Sequence, residues 1–174
     1  LARLEAETGE TRVEKVELAP IVEGLVEQLT PRAAEKKVQL DVTRPLATVR
    51  VSGNADRLAQ VIQNLLDNAV KYTPAGGTVR VALTEAKGRA TFAVADSGPG
   101  IPAEDLGRIF ERFYQVDRAR GRSADSRGVG LGLAIVKEIV TRHGGTIRAE
   151  SVVGIGTRFV VELPGVKENA DGGR

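Results

Sequence analysis

Apolar residues recur along the chain at two different spacings, and these spacings predict its helices and strands. In 18–37 the apolar residues stand three or four positions apart, which predicts a helix that Pro31 kinks or divides. The same spacing follows Asn54, a good helix-capping residue, and predicts a second helix that runs to about Tyr72. A third helix is predicted over 129–143, where the pattern opens on glycines.

Alternating apolar and polar residues predict the strands. Single strands are expected at 38–42 and 47–51, and hairpins are expected at 78–96 and 144–164. A short helical piece is expected at 103–113. This order of elements predicts the α+β class, as a two-layer α/β sandwich. We expect a mixed, mostly antiparallel sheet of about five strands with three main helices on one face.

Polar segments set the predicted limits of the folded domain. The charged segment 1–17 is interpreted as the end of a helix from a preceding segment, or as a linker, and 165–174 as a disordered tail. The domain is therefore expected to occupy 18–164. Within it, 114–128 is polar, basic and rich in Gly and Ser, and long loops of this kind in compact domains often act as lids.

Composition excludes several kinds of protein. The 174 residues contain no Cys, which excludes disulfides and thiolate metal sites. A net charge of +2 is too even to indicate a nucleic-acid surface, and no run of apolar residues is long enough to span a membrane. Because the chain has no Met and starts at Leu1, we expect a fragment or a processed chain.

The stretch "QNLLDNAVKYT" places unexpected polar residues on the second helix. Asn64, Asn68 and Lys71 stand at i, i+4 and i+7, so they project from one side, next to the apolar arc. An amide oxygen can coordinate Mg²⁺ beside substrate phosphates, and a Lys can reach those phosphates as a mobile charge. A solvated helix flank is the alternative for this helix taken alone.

The stretch "DSGPGIP" follows a predicted strand and begins with Asp96. An ionised carboxylate only accepts hydrogen bonds, so it would accept from the amine of adenine and repel the carbonyl of guanine. The glycines that follow permit close approach of the backbone to a ligand. An ordinary Asp-Gly turn is the alternative.

Glycines also open the third predicted helix, in "RGVGLGLAIV". Gly128, Gly130 and Gly132 lead into the helix start, where free N–H groups favour anions. The spacing matches neither the P-loop nor the dinucleotide fingerprint. A close contact between helices is the alternative reading of these glycines.

Aromatic and basic residues occupy the segment "IFERFYQVDRARGR". Phe110 and Phe113 stand at i and i+3, on one face of a predicted helix, where they fill the core or anchor the base of the lid. The arginines of the loop either meet phosphates or are simply solvated. They are Arg118, Arg120, Arg122 and Arg127.

Taken together and in order, these motifs resemble the catalytic ATP-binding domain of bacterial two-component sensor histidine kinases. "NLLDNAVKYT" is similar to the Asn box of that family, "DSGPGI" to its first glycine box, "FERFY" to its Phe box and "GVGLGL" to its second glycine box. "GIGT" (154–157) is similar to a final glycine-Thr element. The resemblance covers about 18–164, and 1–17 resembles the end of the dimerisation helix pair.

The resemblance implies roles for individual residues. It implies that Asn68 ligates Mg²⁺ with Asn64 beside it, that Asn64 and Lys71 position phosphates, and that Asp96 reads the adenine amine. Gln115 stands where some relatives are basic, so the group that grips the terminal phosphate stays open. The other implied ATP-contacting residues are Tyr72, Gly98, Gly100, Ile101, Phe110, Phe113, Arg118, Gly128, Gly130, Leu131, Gly132, Leu133 and Thr157.

The residue at position 64 bears on the type of reaction. The related gyrase-type and chaperone-type ATPases carry an acid four residues before the helix Asn, where it activates water, and here that residue is Asn64. Asp67 lies about 100° from Asn68 around the helix and points elsewhere. The sequence therefore favours phosphoryl transfer, which asks mainly for positioning and charge neutralisation.

The resemblance implies that a histidine outside the chain accepts the phosphoryl group. The single histidine, His143, ends a helix just before two glycines, which indicates a structural role. We therefore expect the chain to bind ATP·Mg²⁺ and to donate the γ-phosphoryl group to a histidine of an upstream dimerisation domain, for relay to a response regulator. We do not expect the isolated chain to phosphorylate itself.

The resemblance also implies partners and a location. The isolated domain is expected to be monomeric and cytoplasmic and the parent a homodimer, while anchoring of the parent in the inner membrane is left open. The alternatives are an ATPase of the same fold, a serine-directed kinase of the anti-sigma type, and an interaction module that has lost nucleotide binding.

Overall fold

A five-stranded sheet with helices on one face organises the residues that the computed structural model describes, 12–115 and 132–166. The helices are α1 (Leu18–Glu35), α2 (Ala55–Tyr72), α3 (Ala103–Leu106) and α4 (Gly132–Arg142). The strands are β1 (Glu14–Glu17), β2 (Gln39–Val42), β3 (Arg50–Gly53), β4 (Thr78–Ala86), β5 (Arg89–Asp96), β6 (Thr146–Val152) and β7 (Gly156–Pro164). None of the helices in these residues has the length and apolar composition needed to cross a membrane.

The main sheet is mixed and mostly antiparallel, as the sequence predicts. Its strand order is β2-β4-β5-β7-β6, with β2 and β4 parallel and the other neighbours antiparallel. The register pairs Asp96, at the end of β5, with Thr157 near the start of β7. Two residues that are 61 positions apart in the chain are thereby brought together where β5 ends and β7 begins.

Helix α2 lies at the centre of the helical layer, between α1 and α4, and packs on β5. Its N-cap is the predicted one, since the Asn54 side chain accepts from the backbone N–H of Arg57 at 2.9 Å. Burial of one leucine such as Leu65 contributes about 1.5–3 kcal/mol. The whole apolar arc of the helix is buried, namely Leu58, Val61, Ile62, Leu65, Leu66, Ala69 and Val70.

Helix α1 is not divided at Pro31, contrary to one of the two predicted outcomes. It continues to Glu35, and Pro31 lies inside it. Proline removes one helical hydrogen bond. The buried side chains of Leu29 and Ala33, on either side of Pro31, show that the packed face of the helix continues past it.

The N-terminal limit of the domain lies before the predicted one. Residues 14–17 form β1, which pairs antiparallel with β3 and places Val16 opposite Val51. Both valines are buried, so this small second sheet is part of the packed domain rather than a preceding helix or a linker. The predicted strand at 47–51 is shifted to β3 and pairs with β1 instead of joining the main sheet. Residues 1–11 lie outside the described residues.

The C-terminal limit of the domain also differs from the prediction, because the first two residues of the predicted tail are bonded to the domain. The backbone N–H of Gly165 donates to the carbonyl of Gly88, and that of Val166 donates to Arg50, each at 2.8 Å. These bonds tie the chain after β7 to the turn between β4 and β5 and to β3. The rest of the predicted tail, 167–174, lies outside the described residues.

Candidate functional site

A cavity of about 230 Å³ opens at the C-terminal end of α2, beside the end of β5 and the start of β7. The N-terminus of α4 and the segment after α3 form its other walls. Residues from five separate parts of the chain therefore meet there. Its lining residues are Asn68, Lys71, Tyr72, Asp96, Pro99, Gly100, Ile101, Ile109, Tyr114, Gln115, Gly132, Leu133, Thr157 and Phe159.

Most of the predicted site residues that the structure describes lie around this cavity. Those that line it are Asn68, Lys71, Tyr72, Asp96, Gly100, Ile101, Gly132, Leu133 and Thr157. Four others do not line it, namely Asn64, Gly98, Phe110 and Phe113. The remaining predicted residues, Arg118, Gly128, Gly130 and Leu131, lie outside the described residues, as does most of the predicted lid.

Asp96 presents a carboxylate to the cavity with one oxygen already occupied. Its Oδ1 accepts the backbone N–H of Gly98 at 2.9 Å and that of Thr157 at 3.3 Å. No residue in the described part of the chain donates to Oδ2. Burial raises the pKa of Asp96 above its ordinary value, and the two N–H donors partly offset this. The group is suited to accept a hydrogen bond from an amine in the cavity.

Thr157 reaches the same edge of the cavity through a network of hydroxyl groups. Ser151 Oγ donates to the carbonyl of Gly156 at 3.0 Å and accepts the N–H of Ile101 at 2.7 Å. Since Ser151 has a single hydroxyl hydrogen, the 2.9 Å contact with Thr157 Oγ1 is donated by Thr157. The lone pairs of Thr157 Oγ1 are then available as acceptors. Sequence reasoning did not identify Ser151.

The two glycines of the first glycine motif have different roles. Gly100 lines the cavity with φ +77°, and a Cβ there would lie 2.4 Å from the carbonyl oxygen of Val152. Gly98 does not line the cavity, and a Cβ there would stand 2.8 Å from the carbonyl oxygen of Tyr72. Of the two glycines expected to close on a ligand, Gly100 therefore lines the cavity and Gly98 does not. Gly98 lets the loop pack on the end of α2.

The polar face of α2 is divided between the cavity and α4. Asn68 and Lys71 line the cavity, and Lys71 Nζ lies 5.3 Å from the centre of the Tyr72 ring. Asn64 stands one turn earlier, and its Nδ2 lies 3.5 Å from the carbonyl oxygen of Gly132, the first residue of α4. Asn64 therefore faces the start of α4, whereas Asn68 faces the cavity.

Asp67 points away from the cavity, as the helical angle predicts. Its carboxylate lies 3.9 Å from the guanidinium of Arg32 on α1. Burial raises the pKa of Asp67, and Arg32 acts in the opposite direction. The acidic residue next to Asn68 is therefore directed towards α1.

The two phenylalanines do not share a helix face, so that prediction is wrong. Helix α3 ends at Leu106, and turns follow it. Phe110 packs edge-on against Phe159, with ring centres 6.3 Å apart and planes at 81°. Phe113 has φ +65° and is 64% exposed. The ring of Phe110 thus supports the cavity from behind, while Phe113 is at the surface of the described residues.

Several lining residues carry no predicted role. Tyr114 directs its hydroxyl to the carboxylate of Asp105, which raises the pKa of Tyr114, and Arg108 lies 4.6 Å from the centre of its ring. Tyr114 ends the "FERFY" motif and Pro99 lies in "DSGPGIP", so both could have been taken from the motifs. Ile109 and Phe159 could not, because their place depends on tertiary packing.

His143 is fixed between two helices. Its Nδ1–H donates to the carbonyl of Ile139 at 2.7 Å, and its Nε2 accepts the backbone N–H of Asn54 at 3.2 Å. Because Nε2 is the acceptor, Nδ1 carries the proton. A Cβ at Gly53 would lie 2.2 Å from the ring, so only glycine leaves it room. These contacts agree with the predicted structural role of His143.

Comparison with known proteins agrees with this geometry. The family described as "Histidine kinase-, DNA gyrase B-, and HSP90-like ATPase" matches residues 53–167, which include α2, the cavity and the main sheet. The chain belongs to this family. Its members are ATPase domains, and the residues matched include the cavity-lining Asp96, Asn68 and Lys71.

Within this ATPase family, the relatives of the chain are sensor histidine kinases. The sensor protein ChvG of Rhizobium meliloti (strain 1021) is 41% identical over 175 residues, which cover 94% of this chain and 30% of ChvG. The solved structure of the mycobacterial sensor histidine kinase MprB is 32% identical with a TM-score of 0.77, and the match covers 90% of this chain and 100% of that one. The structure of full-length ShkA in complex with AMPPNP is 35% identical with a TM-score of 0.77, and the match covers 97% of this chain and 34% of ShkA.

The chain is much shorter than the curated sensor kinases that it matches. It spans 30% of the length of ChvG and of a mycobacterial MprB. The similarity is therefore to one domain of those proteins. The fold predicted for this chain, a mixed sheet with helices on one face, is the one described above, and the solved MprB structure shares it.

Proposed function

We propose that the chain binds ATP with Mg²⁺ in this cavity and positions the γ-phosphoryl group for transfer to a histidine of another segment of its parent protein. The observation that carries the proposal is the placement of Asp96, whose Oδ2 accepts from no described residue, in the same cavity as Asn68 and Lys71. An acceptor for a base and groups for phosphates thus line one cavity.

The base of the nucleotide binds at Asp96. An adenine amine can donate to Oδ2. Guanine has a carbonyl at the equivalent position, and no hydrogen bond can form between that oxygen and Oδ2 because both are acceptors. The hydroxyl of Thr157 stands beside Asp96 with acceptor capacity left for a ring substituent or a bridging water. Apolar walls from Ile101, Ile109 and Leu133 suit the faces of a purine.

The phosphates bind at the end of α2. The amide oxygen of Asn68 is a hard ligand of the type that Mg²⁺ takes alongside phosphate oxygens and water, and Lys71 supplies a mobile positive charge. The described residues contain no group of three His, Cys, Asp or Glu side chains that could hold a metal alone. The ion would supply charge neutralisation on the phosphates, held by Asn68. Asn64 acts by contact with the start of α4.

The side chains around the cavity favour transfer over hydrolysis. Asn64 cannot accept a proton from water, and Asp67 is directed towards Arg32. Tyr114, the other ionisable group at this wall, directs its hydroxyl to Asp105. Positioning and charge neutralisation are the main requirements of phosphoryl transfer, and Lys71, Asn68 and Asp96 supply them. Asp96 is the one carboxylate among the described cavity residues, and in this proposal it binds the base of the nucleotide and not water.

The acceptor histidine is supplied by a different segment or a different chain. Both ring nitrogens of His143 are in hydrogen bonds, so this residue is not a nucleophile in the folded domain. In the proposed scheme a dimerisation domain of the parent homodimer presents the acceptor, and a response regulator then receives the phosphoryl group. The relatives named as sensor histidine kinases support this scheme.

Nucleotide titration tests the proposal. Calorimetry should show ATP binding that is strengthened by Mg²⁺, and GTP should bind at least about fivefold more weakly, because one unpaired acceptor costs about 1–3 kcal/mol. Equal affinity for ATP and GTP would contradict the role of Asp96. Steady release of phosphate without a histidine acceptor, at a rate typical of an ATPase, would contradict transfer.

A further inference from the structure

The last turn of α2 carries Lys71 and Tyr72 to the cavity and ends in carbonyl groups that need partners. The carbonyl of Ala69 accepts from Thr73 twice, from the backbone N–H at 3.1 Å and from Oγ1 at 2.7 Å. The next two carbonyls, those of Val70 and Lys71, both accept from the ammonium group of Lys36. A side chain from another helix therefore caps this turn.

Lys36 reaches this position from the end of α1. It is the C-cap residue of that helix, 34 positions before Val70, and it is partly buried. The distance from Nζ to the carbonyl oxygen of Val70 is 2.7 Å. Lys36 does not line the cavity, so any effect on a ligand must pass through α2.

The electrostatics of a helix end make this cap relevant to phosphates. The C-terminus of a helix carries about half an elementary negative charge, concentrated on its last carbonyls. The last turn of α2 carries Lys71 to the cavity in which we propose a polyphosphate, which is itself strongly negative. Without compensation, the helix end and the phosphates would repel each other.

Other charges near Lys36 do not provide this compensation. Arg32 is paired with Asp67, and Lys71 reaches into the cavity. Burial lowers the pKa of Lys36, and Arg32 and Lys71 act in the same direction, so several positive groups are gathered around this helix end. Of these, Lys36 is the one whose ammonium group donates to the terminal carbonyls.

We propose that Lys36 is a positioning residue for polyphosphate binding, which neutralises and fixes the last turn of α2 so that Lys71 faces the phosphates. The inference rests on the proposed ATP site and adds a residue outside it. A cap with a purely structural role would affect every ligand of the cavity alike. A charge effect grows with the number of phosphates on the ligand.

Binding of ATP, ADP and adenosine to Lys36→Met tests this difference. We expect ATP affinity to fall at least about threefold, ADP affinity to fall less and adenosine affinity to stay unchanged, as for loss of one charge at a helix terminus. Lys36→Arg, which keeps the charge and the donors, should bind ATP as the unmodified chain does. Lys37→Met is the matched control, because Lys37 is exposed and no bond of its side chain is seen in the described structure.

Each outcome decides between the explanations. Unchanged ATP affinity in Lys36→Met, or an equal loss for ATP and adenosine, would overturn the inference while leaving the proposed function intact. Failure of the unmodified chain to bind ATP would instead overturn the proposed function. If Lys36→Met does not fold, Lys36→Gln keeps an N–H donor group without the charge. Its affinity losses should depend on the number of phosphates in the same way, and losses that do not depend on it would overturn the inference.

Discussion

At the scale of single residues, Asp96 provides the one carboxylate among the described residues that line the cavity. Its carboxylate is desolvated by burial, which is unfavourable for a charged group, and the N–H groups of Gly98 and Thr157 compensate only in part. A charge held in this way is a cost to folding that a ligand donor can relieve. In the proposed function, the carboxylate that lowers stability is thus the group that binds the base.

Asp96→Asn should abolish detectable ATP binding without lowering stability. Asn presents an N–H donor where an acceptor is needed, yet its oxygen can still accept from Gly98 and Thr157. Calorimetry measures the first effect and thermal unfolding the second. Undiminished ATP affinity would contradict the assignment of Asp96 to the base.

The stability difference between Asp96→Asn and the unmodified chain should depend on pH. Burial raises the pKa of Asp96 in the folded state. The protonated group therefore stabilises the folded state below its ordinary pKa of about 3.9. This contribution to the unfolding free energy is lost as the pH rises through the raised pKa. The variant lacks this titration. Its advantage in unfolding free energy should therefore be larger near pH 7 than near pH 4, and a constant difference would show that Asp96 is not desolvated.

Asn68→Ala should weaken ATP binding more in the presence of Mg²⁺ than in the presence of a chelator. The reason is that the substitution removes an oxygen ligand in the cavity but no group for the base. Titrations in both conditions measure the difference. Gln63→Ala, an exposed change on the same helix, serves as control. Equal losses with and without the metal would argue against ligation by Asn68.

At the scale of elements, α2 is held at both ends by residues from other helices. Asn54 caps its N-terminus, and the backbone N–H of Asn54 is bound by His143 from the end of α4. Lys36 from the end of α1 binds the carbonyls of its last turn. Because α2 carries Asn68 and Lys71, both contacts fix the helix that forms one wall of the cavity.

His143→Ala should lower the unfolding free energy by about 1–3 kcal/mol, because it leaves the N–H of Asn54 without its acceptor. Urea unfolding measures this, and ATP affinity should change little, since His143 does not line the cavity. Arg142→Ala is the neighbouring control, with an exposed ion pair to Glu138 that contributes little. An equal, small change in both variants would show that the histidine contacts are not structural.

At the scale of the whole molecule, the chain resembles one domain of a longer kinase. It spans 30% of the length of two curated relatives, and its match to a solved MprB structure covers 100% of that chain and 90% of this one. The acceptor histidine, the parent homodimer and the response regulator all belong to the proposal. Only the family membership and the fold rest on direct similarity.

The isolated chain should not become phosphorylated on histidine when incubated with ATP. Its one histidine has both ring nitrogens in hydrogen bonds and lies outside the cavity. Detection of acid-labile, base-stable phosphate tests this, and the His143→Ala variant identifies the residue if label appears. Stable labelling of the unmodified chain that His143→Ala abolishes would contradict the prediction.

Local patterns determined much of the fold. The spacing of apolar residues and the cap at Asn54 predict α2 to within a residue, and alternation predicts both hairpins. These features depend on neighbours in the chain, which is why the sequence contains them. The prediction was wrong for Phe113, since helical spacing was assumed where the chain turns.

The sequence by itself determined which groups are chemically suited to bind a nucleotide, because Asn68, Lys71, Asp96 and the glycines stand in recognisable local motifs. Only the tertiary structure decided which other residues hold these groups in place. The partner of Lys36, the place of β1 and the wall formed by Phe159 depend on strand register and on packing between segments far apart in the chain. Such contacts are set by the burial of shared surfaces, and no short stretch of sequence specifies them.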